Sequence, residues 1–450
     1  MIILFFIHLI YQIICISKIQ LDYKSNITYK YPKITIKKSQ ILSKLKKNFT
    51  LNNNEDFNFT FNSYKLISCE IKFGSGLKPF TVIFDTGSII LWIPGKGCKT
   101  SSGKLLPITF DPSSSSTIKK TQDRFSIEYG TGYNQGDYYI DYINFANKKV
   151  SMKFGLAQIA DFDVEEATGI LGVSRGSSNN DDNVLIFNQL FSQKLINDKT
   201  FSLYKQPDKN TFTLYYDGYH ENFTNDKIEG SRGSCDLVNS NNYYKMLWGC
   251  NLDIIYFGKA KKNLDEDSCL VLEETIIFDT GTNFILLSNN LEKTFIKKMK
   301  LQPENCAISK EELGDFIVCE DISNIPDINF IFNKKSYLLP KENLWSKYNI
   351  GDYDFYFMNI VFQNFGMNII GTQFFEIYHT AFNQDKKKLN FYNSNENYII
   401  SVNIFWILNK NLLNFLIGLG IIIVLVIIAY LIHIIRSRRK SSVRVPLINL

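Results

Sequence analysis

Histidine is scarce in this chain. Four occur in 450 residues (His8, His220, His379 and His433), and His8 and His433 lie in apolar terminal stretches. A zinc cluster or a Ser/His/Asp triad therefore has almost nothing to be built from. No Cys-x-x-Cys spacing occurs among the eight cysteines, which removes thiol-rich metal ribbons and redox motifs. Gly130-Thr131-Gly132-Tyr133-Asn134-Gln135-Gly136 superficially resembles a nucleotide loop, yet its spacing is wrong and no helical pattern follows. A broad basic face is missing as well. Residues 18–60 hold nine lysines against Asp22, Glu55 and Asp56, and five basic residues follow Ile435 without an acid. What remains has 36 basic against 41 acidic residues, so no nucleic-acid partner is indicated for the main body.

What the chain does have is the material for a packed core. It is 45% hydrophobic and 14% aromatic over 450 residues, enough for two lobes with a core each. Residues 1–17 are almost wholly apolar and give way to polar sequence at Ser17 and Lys18, which reads as a signal peptide. Phe415 to Ile435 is a run of 21 residues without a charge, and at 1.5 Å per residue it would make about 31 Å of helix, a bilayer's hydrocarbon depth. Arg436, Arg438, Arg439 and Lys440 follow at once, as expected of a cytoplasmic flank. The ends thus predict a type I membrane protein in the secretory pathway, with residues 399–414 as a juxtamembrane linker and 436–450 as a cytoplasmic tail.

In that compartment disulfides are the natural state of paired cysteines. Once Cys15 leaves with the signal, seven remain, so at least one is a free thiol or bonds another chain. Cys306 and Cys319 flank one short segment and are the expected pair; the remaining connectivity is open. Asn26, Asn48, Asn58 and Asn222 each begin an Asn-x-Thr sequon and are glycosylation candidates.

From Phe61 onward short apolar or alternating runs are bounded by Gly, Asn, Asp and Ser, which predicts a mostly β fold. Helical periodicity is confined to Val184–Ile196, with Phe187, Leu190, Phe191 and Leu195 on one face, and to Leu291–Met299. Two phrases then stand out. Phe84-Asp85-Thr86-Gly87-Ser88 and Phe278-Asp279-Thr280-Gly281-Thr282 lie 194 residues apart, each closing an apolar strand and each continuing into another, Ile89–Trp92 and Phe284–Leu287. An apolar-apolar-Gly element follows each at a similar offset, ending at Gly172 and at Gly371. This is a duplicated lobe, with a seam near His220.

Two carboxylates brought together on the axis of such a duplication can share a proton. The ionised one takes a proton from water as it attacks a carbonyl, and the protonated one donates to the carbonyl oxygen, so an amide is hydrolysed without metal, cofactor or covalent intermediate. Gly87 and Gly281 leave room for a tight turn, Ser88 and Thr282 offer hydroxyls to the outer carboxylate oxygens, and Thr86 and Thr280 can bond across the interface. A pair of surface turns would need no apolar strand on either side.

At these residues the chain resembles the pepsin-like aspartic proteases, over roughly Tyr64 to Ser394. Phe80–Ser88 with Leu91–Pro94 is similar to that family's first active-site loop, Phe110–Thr117 and Ile325–Phe330 to other family segments, and Ile127-Glu128-Tyr129-Gly130-Thr131-Gly132 to its flap hairpin. The resemblance implies a bilobal acid-protease fold with a central cleft, lobes at 61–220 and 221–398, and Asp85 and Asp279 as the catalytic pair. It further implies a flap of Tyr129, Gly130 and Thr131, with the Tyr129 hydroxyl paired to Trp92, and Ile83 and Ile285 lining pockets. The basic segment 18–60, with Ile34–Ser39 as a propeptide strand and helix start, then makes the chain a zymogen. Polypeptides are the implied substrates, acting on a monomer in a vacuolar, lysosomal or cell-surface membrane. Thr168, Thr372 and Tyr133 depart from the family pattern, and Cys98 lacks the near partner the family often gives it. The rival reading is a catalytically silent binding or adhesion protein of the same fold, whose signature would be a damaged dyad or flap.

Overall fold

The computed structural model describes residues 17–27, 34–36, 57–59, 64–408 and 420–432, except for 130–131, 162–166, 177–183, 207–210, 240–243, 302–304, 312–313, 351–352 and 365. The fold is mostly β. A 13-stranded sheet and an 11-stranded sheet account for nearly all the strands, and a small pair joins Ile34–Ile36 to Phe57–Phe59. Burial follows each strand's place in the sheet: Cys269–Phe278 ends in three consecutive buried residues where it enters the core, whereas Lys119–Tyr129 is mostly exposed at the sheet edge.

Both sheets contain the same local arrangement. Lys78–Asp85 runs parallel to Ile170–Gly172, with Gly172 opposite Asp85, and Cys269–Phe278 runs parallel to Asn368–Ile370, with Ile370 opposite Phe278. The apolar-apolar-Gly elements are therefore the short strands laid beside the two Asp-Thr-Gly turns. Glycine is required there because a Cβ on Gly172 would stand 2.5 Å from Ile90 N, and one on Gly371 would stand 2.4 Å from Phe284 O. Any side chain would push the turn aside.

The sheets are not split at the seam near His220. His379–Asn383 pairs with Phe201–Lys205, Lys388–Asn393 with His379–Asn383, and Ser231–Asp236 with Lys388–Asn393, so the first sheet is completed from the far half of the chain. Ser17–Ile27 lies in that sheet too, antiparallel to both Thr211–Tyr216 and Tyr64–Phe73. The start of the basic leader is thus a sheet strand.

Aromatic packing seats the two Asp-Thr-Gly turns. Phe84 meets Phe201 edge-on at 5.8 Å, Phe201 stacks on Phe382 at 4.7 Å, and Trp248 closes on Phe382 at 5.1 Å. Phe278 packs against Phe374 at 5.2 Å and Phe391 at 5.3 Å. Both phenylalanines are fully buried, and burying each is worth about 1.5–3 kcal/mol. The residue before each aspartate is thereby anchored.

One expectation is corrected here. The first predicted helix is only Ile186–Ser192 and buries Ile186, Phe187 and Leu190, while Phe191 is 42% exposed because the helix stops before its predicted face is complete. The second is Glu292–Met299, close to its predicted extent. Residues 420–432 are helical and exposed. The rest of the 415–435 run lies outside the described residues, and among those described no helix is long and apolar enough to cross a membrane.

Candidate active site

Asp85 ends its strand 6% exposed, at the point where the chain turns into Gly87 and Ser88. The Gly87 amide donates to Asp85 Oδ1 at 2.8 Å, and the Ser88 hydroxyl donates to Oδ2 at 2.6 Å. The second turn repeats this: the Gly281 amide donates to Asp279 Oδ1 at 2.8 Å and the Thr282 hydroxyl to Oδ2 at 2.6 Å. Each carboxylate is thus held by one amide and one hydroxyl, which fixes its plane and orients its oxygens.

The two turns touch. A Cβ on Gly87 would stand 2.6 Å from the Asp279 carboxyl carbon, and one on Gly281 would stand 2.6 Å from Asp85 Oδ1. Reciprocal bonds lock them: the Thr86 amide donates to Thr280 Oγ1 and the Thr280 amide to Thr86 Oγ1, both at 3.0 Å. Burial, then the Asp279 charge and its hydrogen bond to Asp85, hold the Asp85 carboxyl well above the usual carboxylate range. Two acids this close resist joint ionisation.

The flap hairpin closes over this turn. Tyr129 pairs with Gly132 across Lys119–Tyr129 and Gly132–Phe145, and its hydroxyl accepts from the Trp92 indole at 3.0 Å. Burial, and then the nearby Asp85 charge, raise the Tyr129 phenol. It stays protonated, with the Ser88 side chain as its second hydrogen-bond partner. Gly130 and Thr131 lie outside the described residues. Tyr133 projects outward at 38% exposure, where its hydroxyl accepts from Ser126 and donates to Gln135. Thr168 donates its amide and hydroxyl to Thr81 O, bracing the strand that carries Asp85.

Of the two pocket residues, Ile83 is 3% exposed and packs with Trp92, Ile170 and Tyr129 beneath the flap. Ile285 does not line a pocket. The alternation of Ile285–Ser288 turns Ile285 and Leu287 into the core, leaving Ile285 without exposed surface.

Cys306 and Cys319 are bonded, as cross-strand partners whose Cα atoms lie 4.1 Å apart. A second disulfide, Cys235–Cys250, joins a strand of the first sheet to a strand of the second. Sequence spacing gave no sign of it, because the pairing follows from how the sheets meet. Cys98 and Cys269 are buried thiols, pushed up by burial to about 11 and about 12, and neither suits nucleophilic chemistry. No cluster of metal-binding side chains occurs among the described residues. The side chains of Asn26, Asn48 and Asn58 lie outside the described residues. Asn222 is half-buried with its amide nitrogen 3.1 Å from His379 Nδ1, so the nitrogen that would carry a glycan is already engaged.

Sequence reasoning missed the residues behind the turns. The Val173 amide donates to Asp85 O at 2.7 Å and the Ser174 amide to Ser88 O at 3.0 Å, while the Trp248 indole donates to Val173 O at 2.9 Å. For Val173 and Ser174 the only sequence signal is that they continue from Gly172.

Comparison with known proteins agrees with this geometry. Pepsin A of Gallus gallus is 28% identical over 275 residues, covering 60% of this chain and 68% of its own length. Pepsin-3 of Oryctolagus cuniculus is 27% identical over 335 residues, covering 71% and 78% respectively. Vacuolar protease A of Arthroderma otae is 26% identical over 275 residues, covering 60% and 63%. The chain therefore spans roughly two thirds to four fifths of these relatives. The family model described as eukaryotic aspartyl protease matches residues 67–393, well over half the sequence, and the chain belongs to that family.

Proposed function

We propose that this protein is an aspartic endopeptidase in which a water molecule between Asp85 and Asp279 attacks the peptide carbonyl. The carrying observation is the intact symmetry of the dyad: each aspartate has its amide and hydroxyl donors, and the turns are locked by Thr86 and Thr280. One shared proton gives the pair a base and an acid at once. Tyr129, held by Trp92, covers an extended polypeptide and excludes water from the developing oxyanion.

Made with its basic leader, the chain is a zymogen. Supporting this, Ser17–Ile27 occupies a place inside the first sheet, and the leader's net charge is opposite to that of the body. The uncharged run Phe415–Ile435 and its basic flank support a type I anchor in the secretory pathway, with the catalytic body facing a vacuolar, lysosomal or extracellular space. Asn26, Asn48 and Asn58 are the glycosylation candidates in this reading, and the enzyme works as a monomer.

The test is to incubate the purified full-length chain with a peptide library between pH 3 and 7, alone, with a pepstatin-type inhibitor, and as Asp85→Asn. Cleavage abolished by both is the expected result. Cleavage that survives Asp85→Asn overturns the mechanism, and a wild type inert at every pH leaves the silent binding protein as the better reading.

A further inference from the structure

Arg175 is a charged residue in the wrong place for stability. It is 6% exposed, and no carboxylate pairs with it among the described residues. Among the described residues its Nε has no partner, and burial pulls the guanidinium down from its ordinary value. A guanidinium taken out of water without a counter-ion is a net cost, and an apolar side chain of similar length would fill the space without it. Local rules broken in this way tend to mark function.

Its contacts show what it connects. Arg175 Nη1 donates to Val238 O at 3.1 Å and Nη2 to Asn239 Oδ1 at 3.1 Å, while its own amide donates to Met246 O at 3.0 Å. Gln384 Nε2 closes on Arg175 O at 2.8 Å. On one side, Val173 and Ser174 immediately before it hold the carbonyls of Asp85 and Ser88. On the other, the Val238 amide donates to Gly249 O at 2.9 Å, and the carbonyl of the adjacent Trp248 accepts the amide of Phe278, the residue before Asp279. One buried side chain thus ties the back of one catalytic turn to the support of the other.

Resting on the endopeptidase reading above, we infer that Arg175 is a positioning residue that sets the relative placement of Asp85 and Asp279 by clamping the Val173–Arg175 run to Val238 and Asn239. The two acceptors are bound by different guanidinium nitrogens, which suits a rigid planar fork and not a single ammonium. Displacements of about 1 Å at reacting groups can cost on the order of a hundredfold in rate, so a clamp of this kind acts on turnover without touching substrate.

The test compares full-length wild type, Arg175→Met and Arg175→Lys. The thermal midpoint, kcat and KM on one peptide, and affinity for a statine-containing peptide that mimics the tetrahedral intermediate are measured at 25 °C. Arg175→Met is expected to keep its midpoint within about 3 °C, because the lost hydrogen bonds are offset by relief of charge burial. Its kcat falls about ten- to a hundredfold with KM nearly unchanged, its statine-peptide affinity falls by a similar factor, and Arg175→Lys lies between. A Met variant with wild-type kcat and affinity overturns the inference, as does a loss accompanied by a midpoint drop large enough to unfold the protein at the assay temperature. A wild type that binds the statine peptide but cleaves nothing removes the endopeptidase reading alone, and the affinity comparison still decides on Arg175. A wild type that neither cleaves nor binds removes both.

Discussion

The hydroxyls of Thr86 and Thr280 each accept the other's amide and donate to a carbonyl across the interface, Thr86 to Phe278 O at 2.8 Å and Thr280 to Phe84 O at 2.6 Å. All four groups are buried, so the bonds have no water to fall back on. Thr280→Val keeps the shape, removes one hydroxyl, and leaves the Thr86 amide and the Phe84 carbonyl without it. A cost of about 2–5 kcal/mol is expected from two buried groups at about 1–3 kcal/mol each. Thr280→Ser, which keeps the hydroxyl, loses far less. Urea unfolding of the two variants decides the matter, and equal midpoints would show that the cross-bonds contribute nothing.

The dyad gives stability a definite pH dependence. Burial and the neighbouring Asp279 charge raise the folded Asp85 carboxyl above its unfolded value, so the folded state binds its proton more tightly. That contribution is fully present below the unfolded value, about 3.9, and is lost as pH rises through the folded one. Asp85→Asn removes the titration. The thermal midpoint of wild type, measured relative to Asp85→Asn, should therefore fall as pH rises from about 4 to 7; a constant or widening advantage for wild type over that range would refute it.

Tyr129→Phe isolates the flap contact. The phenol accepts from the wholly buried Trp92 indole, and deleting it costs that bond, about 1–3 kcal/mol. The loss should fall on kcat/KM more than on global unfolding, because the flap strand Lys119–Tyr129 is mostly exposed along its length. About tenfold is expected in kcat/KM with a shift of a few degrees at most in the midpoint. Unchanged kcat/KM would mean that the Tyr129–Trp92 bond plays no part in closing the flap.

The reach of the sequence follows how local each interaction is. The Asp-Thr-Gly turns, their hydroxyl partners and Trp92 could be read because each lies within a few residues of a repeated phrase, and duplication makes chance coincidence improbable. Cys306–Cys319 was legible for the same reason, being a hairpin pair. Ile285 misled because an apolar residue near a catalytic turn looks the same whether it faces a groove or the core, and only the register of Ile285–Ser288 against Tyr353–Gln363 decides. Cys235–Cys250 and Arg175 were invisible, since both depend on where two sheets meet. Phe191 was lost to a helix that ends at Ser192, earlier than its apolar period suggested.

The two disulfides offer a comparison in which chain length is nearly constant. They close segments with separations of 15 and 13 residues, so restriction of the unfolded chain is worth about 3 kcal/mol for either. Their positions differ. Cys306–Cys319 lies within one hairpin of the second sheet, whereas Cys235–Cys250 joins strands of different sheets and flanks Val238 and Trp248, which bond Arg175, Val173 and Phe278 behind the two Asp-Thr-Gly turns. Serine substitution of each pair should thus lower the unfolding midpoint by similar amounts, yet assayed well below both midpoints the hairpin variant should keep kcat within about twofold while the inter-sheet variant loses about tenfold. Equal turnover in the two variants would show that sheet-to-sheet registration is maintained without the Cys235–Cys250 bond.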